Sequence, residues 1–197
     1  FNISSGGSNS LTSTNKLTSK VVNTFSLKSY DILTGMGFKN NLNAYLQNIN
    51  IIAKKNPSYK SSPQIKFVNI MEANTSLPLI KTTEYSVNYL IPKVSFRFNP
   101  SSMKDESAKD RGINVANIFN IDRVNLSEGY ESGKSLTLGL DYTKKNLDEI
   151  NKYFSVKLGT VLRDDNEDRI PKSSTLNRKT SNLFGSIENS FSDSLNI

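Results

Sequence analysis

The densest group of side chains able to do chemistry is the run Asp164-Asp165-Asn166-Glu167-Asp168. Clustered carboxylates can hold a divalent cation, but the run lacks the Gly at position 6 and the Glu at position 12 of an EF-hand loop, so it reads as a solvated loop. An Asp/Glu pair could also hydrolyse glycosides, yet no carboxylates sit in a recognisable motif. His 0 and Cys 0 remove the usual bases, nucleophiles, disulfides and most zinc ligand sets. No catalytic, cofactor-binding or metal-ligating residue is assigned, and the chain is not read as an enzyme. Lys and Arg number 25 against 18 Asp and Glu, a formal charge of +7. That balance admits an anionic partner, but there is no Lys/Arg run of the kind nucleic acid attracts.

The elements that would carry the charged residues are strands. From Tyr153 to Arg163, Phe154, Val156, Leu158, Thr160 and Leu162 alternate with Ser155, Lys157, Gly159, Val161 and Arg163. Successive strand residues point to opposite faces, so one face here is apolar and the other mostly polar. Leu136, Leu138, Leu140 and Tyr142 alternate in the same way with Ser135, Thr137, Gly139 and Asp141, as do Val94, Phe96 and Phe98 with Lys93, Ser95 and Arg97. The reading is all-β, with seven strands near 21–33, 38–53, 64–72, 80–98, 135–143, 153–163 and 182–197. The Ser/Gly/Asn-rich first 20 residues read as loop.

The connections alternate in length: short near 34–37, 73–79 and 144–152, long near 54–63, 99–134 and 164–181. An up-and-down outer-membrane barrel sorts its loops in this way, with apolar residues facing lipid and polar ones lining the lumen. A β-sandwich also alternates, so pattern alone leaves both architectures open. On a lipid face near the midplane Lys157 would cost roughly 2–4 kcal/mol. In a barrel, therefore, Lys93, Arg97, Lys157 and Arg163 are luminal, substrate-facing candidates. Tyr30, Tyr85, Tyr89, Tyr142 and Tyr153 lie near strand ends, where a barrel keeps aromatic girdles. Pro92 removes a ladder donor and is read as the start of the run Val94–Phe98.

Three segments, in order, resemble the barrel domain of the LptD family, the lipopolysaccharide-assembly (organic solvent tolerance) proteins of the outer membrane. The first is Tyr89-Leu90-Ile91-Pro92-Lys93-Val94-Ser95-Phe96-Arg97-Phe98. The second is Asn117-Ile118-Phe119-Asn120-Ile121-Asp122-Arg123, continuing through Glu131-Ser132-Gly133 to Leu138-Gly139-Leu140-Asp141-Tyr142. The third is Tyr153-Phe154-Ser155-Val156-Lys157-Leu158-Gly159. The family often has a second acidic–Arg step where this chain has Glu128-Gly129, so no role resting on that Arg carries over.

The resemblance implies that residues 1–197 form one partial barrel domain, an unclosed antiparallel meander from a large transmembrane β-barrel. Phe1 in place of Met, and too few strands to close, fit an internal piece. It further implies a cell outer membrane location in a Gram-negative bacterium. The implied work is non-catalytic: receiving lipopolysaccharide and inserting it in the outer leaflet. The implied partners are lipopolysaccharide, an LptE-like lipoprotein plug, outer-membrane lipid, and an LptA periplasmic bridge reached through an absent amino-terminal domain. Phe119, Asp122, Arg123, Glu131 and Gly133 become loop anchors. A porin-like barrel and a secreted β-sandwich binding module are the alternatives.

Overall fold

The computed structural model describes residues 2–12, 15–126, 130–149, 151–192 and 195–196. Its strands are β1 (Asn2–Thr12), β2 (Lys16–Lys28), β3 (Ile32–Leu33), β4 (Lys39–Lys54), β5 (Gln64–Ser76), β6 (Leu79–Thr82), β7 (Ser86–Asn99), β8 (Gly133–Asn146), β9 (Tyr153–Arg163), β10 (Phe184–Ser192) and β11 (Leu195–Asn196). All pair antiparallel in one sheet of order β1-β2-β4-β5-β7-β8-β9-β10-β11, with β3 on β4 and β6 on β7. Among the described residues the sheet does not close: β1 and β11 each have a single neighbour. The chain is thus an all-β, unclosed antiparallel meander.

The segments expected at 38–53, 64–72, 135–143 and 153–163 became β4, β5, β8 and β9 within four residues of those bounds, whereas those expected at 21–33 and 182–197 are each divided, into β2 and β3 and into β10 and β11. The amino-terminal segment did not follow expectation. Residues expected to be loop instead form β1, which pairs from Asn2↔Ser26 to Thr12↔Lys16. Its Ser, Gly and Asn residues carry no period-two signal, and backbone pairing with β2 supplies its order instead. The expected strand at 80–98 is also divided. β7 pairs with β5 only from Lys93 to Phe98, and below that with β6 from Leu90 to Val87. Pro92 falls at the seam, where neither β5 nor β6 needs a donor from it, so the missing N–H costs no ladder bond on that side.

The two faces differ in what covers them. On one face the apolar side chains stand open: Phe67 is 70% exposed, Phe96 48% and Leu158 38%. On the other, the connection following β7 and the connection following β9 fold back over the sheet. Met103, Ile113, Ile118, Val124 and Leu126 from the first meet Ile170 and Leu176 from the second, on Val161 of β9. The buried core therefore lies between the sheet and its own long connections, which we call the cap. On β4 and β5 the same face also buries Ile49, Ile51, Ala53, Val68 and Ile70.

Candidate functional site

The cap is seated by a gap in the side-chain layer of the covered face. Gly139 and Gly159 are cross-strand partners on β8 and β9. A Cβ on Gly139 would lie 2.6 Å from Phe119 Cζ, and one on Gly159 would lie 3.2 Å from Ile118 Cδ1. Any side chain there would displace the Ile118-Phe119 pair, so two glycines that look like weak strand residues form the socket for the cap. Asn114 helps fix the local turn, its carbonyl accepting from Ile118 N at 2.9 Å and its side-chain oxygen from Ala116 N at 2.9 Å.

Beside this socket a single carboxylate collects three guanidinium groups. Arg97, Ser135 and Arg163 share one row across β7, β8 and β9, and Glu131 descends onto them from the cap. Arg123 Nε donates to Glu131 Oε2 at 2.9 Å, and its Nη2 bonds Glu131 Oε1. The same guanidinium reaches the sheet, with Nη1 to Thr137 Oγ1 at 2.8 Å and Nη2 to Ser135 Oγ at 2.9 Å. Arg163 Nη1 donates to Glu131 Oε1 at 3.2 Å, and its Nη2 bonds the Ser132 carbonyl. Arg97 Nη1 stands 3.8 Å from Glu131 Oε1, and none of its three nitrogens has a hydrogen-bond partner. All four side chains are buried.

Burial alone would raise the pKa of Glu131. The charges of Arg123 and Arg97, the hydrogen bond from Arg123 and the charge of Arg163 outweigh it and hold the carboxyl at about 2. Glu131 is therefore an anion at any ordinary pH, which makes it a structural counter-ion and a poor proton shuttle. Cross-strand to Arg97 lies Glu72, itself buried, so the row carries charge of both signs.

The remaining anchor candidates converge on the same place. Gly133 has φ +89°, a left-handed conformation that favours glycine, and a Cβ there would lie 2.9 Å from Arg163 Nη2. Asp122 sits at the turn before Arg123, its carboxylate accepting from Leu126 N at 3.3 Å. The acidic run is drawn into the cap through Glu167, which takes Arg169 Nε and Nη2 at 2.7 Å each and Ser132 Oγ at 2.8 Å. The hydrogen bond from Arg169 is the largest influence holding Glu167 at about 2. Among the described residues no group of three His, Cys, Asp or Glu could hold a metal ion.

The four basic candidates divide. Lys93, Arg97, Lys157 and Arg163 all project to the covered face, but Arg97 and Arg163 lie beneath the cap, out of reach of anything dissolved. Lys93 is partly exposed, pairs with Asp141 and stands 5.6 Å from the centre of the Phe119 ring. Lys157 is the cross-strand neighbour of Asp141. Of the tyrosines, Tyr30 is almost wholly exposed, and Tyr142 donates to Asn88 Oδ1 at 3.0 Å with its ring edge-on to Phe154.

Beyond the cap, the same face of β2, β4 and β5 carries residues that the strand pattern did not single out. Asn43 and Asn74 both donate to Glu72 Oε1, and Asn74 also donates to Asn41 Oδ1 at 3.0 Å. With Lys28, Lys93 and Phe119 they line an open cleft of about 280 Å³. Asn41 and Asn43 alternate with Leu42 and Ala44, so their common face was legible; their hydrogen-bonded grouping needed the register. Farther up, Tyr130 donates to Tyr45 OH at 2.6 Å. The arrangement as a whole can bind polar groups along an inner wall. A scan of protein-family models and a search of curated proteins found no match to this chain.

Proposed function

We propose that this chain is wall from an outer-membrane β-barrel that assembles lipopolysaccharide, as its resemblance to the LptD family implies. On this reading the open apolar face meets the hydrocarbon of the outer membrane of a Gram-negative cell. The capped face borders a wet lumen through which the saccharide part of the glycolipid moves. The work is non-catalytic. Lipopolysaccharide, an LptE-like plug and an LptA bridge are the proposed partners.

The observation that carries the reading is the asymmetry of the sheet. Phe67, Phe96, Leu138 and Leu158 are exposed, while the opposite face holds Ser95, Arg97, Thr137 and Arg163 under a cap. A β-sandwich turns its apolar residues inward against a second sheet; here Phe96, Leu138 and Leu158 of β7, β8 and β9 turn outward, while Ile49, Ile51, Val68 and Ile70 of β4 and β5 are buried on the inner face. The residues bearing the resemblance also meet in space: Phe119 on Gly139, Arg123 on Glu131, and Gly133 beside Arg163. The porin-like alternative shares the asymmetry and differs in what crosses the lumen. The test is complementation. The parent protein carrying Glu131→Lys at this position is expected to lose delivery of lipopolysaccharide to the cell surface while small-solute permeation does not fall. Normal surface lipopolysaccharide with lost solute uptake would favour the porin reading instead.

A further inference from the structure

The open cleft on the inner face of β2, β4 and β5 has the makings of a binding site outside the capped cluster. Its floor is two cross-strand rows, Lys28–Asn43–Glu72 and Asn41–Asn74. The amides are held in place by their bonds to the buried Glu72 and to one another. Asn41 Nδ2 also donates to Asp31 Oδ1 at 3.2 Å. One wall is the Phe119 ring, delivered by the cap. At about 280 Å³ the cleft sits just below the usual range for ligand sites, roughly 300–1,000 Å³. Such a volume suits one small ring.

The charges narrow the ligand further. Lys39 is 3.0 Å from Asp31, Lys93 pairs with Asp141, and Glu72 lies cross-strand to Arg97. Lys28, at the rim, makes no direct ion pair among the described residues; Asp31, already bonded to Lys39, lies within reach of its charge, so Lys28 is the cation least committed to a partner. Fixed amides match the alternating donors and acceptors of sugar hydroxyls, a ring wall matches a sugar's C–H face, and one rim ammonium without a direct ion pair matches a single anionic substituent.

We propose that this cleft binds one sugar ring carrying one anionic group, a phosphate or a carboxylate. The inference rests on the functional reading above and adds to it a defined subsite on the saccharide path.

The test uses this protein in detergent micelles, with saturation-transfer NMR observing the sugar. Glucose 1-phosphate and glucuronate represent the two sources of the anionic group, methyl glucoside is the neutral sugar, and inorganic phosphate is added as a competitor. At least one of the two anionic sugars is expected to show transfer well above that of methyl glucoside, and equimolar phosphate should not displace it. Which of the two gives the larger signal identifies the source. Lys28→Gln, at an exposed position, should lower the anionic sugar to the level of methyl glucoside without changing the latter. Asn41→Ala should lower both. Absent transfer to both anionic sugars, displacement by phosphate alone, or an unchanged Lys28→Gln profile would each overturn the subsite. The readout does not depend on lipid, so its failure would leave the membrane orientation standing. A protein that binds the sugar yet has no lipid-facing side would instead remove the lipopolysaccharide reading alone.

Discussion

Replacing Glu131 by Gln should release the cap from the sheet. The change leaves Arg97, Arg123 and Arg163 facing one another in a buried site with no anion among them. Glu131 is held at about 2 instead of its ordinary 4.5, a difference worth about 3 kcal/mol of stability at neutral pH. That agrees with the roughly 3–5 kcal/mol lost when one member of a buried ion pair is removed. Local opening of the cap would then become about a hundredfold more frequent. Hydrogen exchange of the protein in micelles reads this directly. The amides of Ile118 and Glu106, which bond Asn114 and Arg169 carbonyls within the cap, should exchange about that much faster, while amides in the middle of β8 keep their rate. The double variant Glu131→Gln/Arg97→Met should recover part of the loss, since it removes a guanidinium that has no hydrogen-bond partner. Cap amides exchanging at the unaltered rate in Glu131→Gln would refute the idea that this carboxylate holds the cap.

Further outcomes follow from the same geometry. Because the folded-state pKa of Glu131 is lowered, its stabilisation is complete above about pH 4.5 and is lost as pH falls from there through about 2; cap-amide exchange followed over that interval checks the sign. Arg123→Met, which strips four hydrogen bonds, should cost about 3–5 kcal/mol in urea unfolding, whereas Arg97→Met should cost less than about 1 kcal/mol. Gly139→Ala must push Phe119 aside and should cost about 1–3 kcal/mol, while Gly6→Ala, with nothing within 4 Å of the new Cβ, should stay within about 0.5 kcal/mol. Leu158→Arg on the open face should destabilise the bilayer-inserted form by roughly 2–4 kcal/mol, measured as the folded fraction by electrophoretic mobility.

The sheet was readable because strands advertise themselves by period two. In β8 and β9 every second residue from Leu136 to Tyr142 and from Phe154 to Leu162 is apolar or nearly so. That same period placed Arg97 and Arg163 on one face. It could not show that they are covered, because the cap is seated by Met103, Ile113, Val124, Leu126, Ile170 and Leu176, scattered through polar connections with no spacing to mark them. Glu131 is likewise an ordinary loop carboxylate until Arg123 and two strand arginines close on it. The acidic run read as solvated, yet Glu167 is tied to Arg169 and Ser132 within the cap. β1 was illegible for the opposite reason: Ser, Gly and Asn favour loops by propensity, and a neighbouring strand overrode them. Gly139 and Gly159 were visible as interruptions of polar faces, but a socket becomes apparent only with Ile118 and Phe119 in it.

The proposed membrane orientation depends most on which solvent wets the apolar side of the sheet. Single nitroxide labels at Phe67, Phe96 and Leu158, and at Ser95 and Asn41 on the other face, can be tested in lipid vesicles by collision with oxygen and with a water-soluble nickel chelate. Labels at the first three positions should collide with oxygen and be shielded from the chelate, while the label at Asn41 shows the reverse and the one at Ser95, beneath the cap, meets neither readily. Labels at Phe67, Phe96 and Leu158 that collide with the chelate, or with neither relaxer, would place water or protein where that orientation requires hydrocarbon.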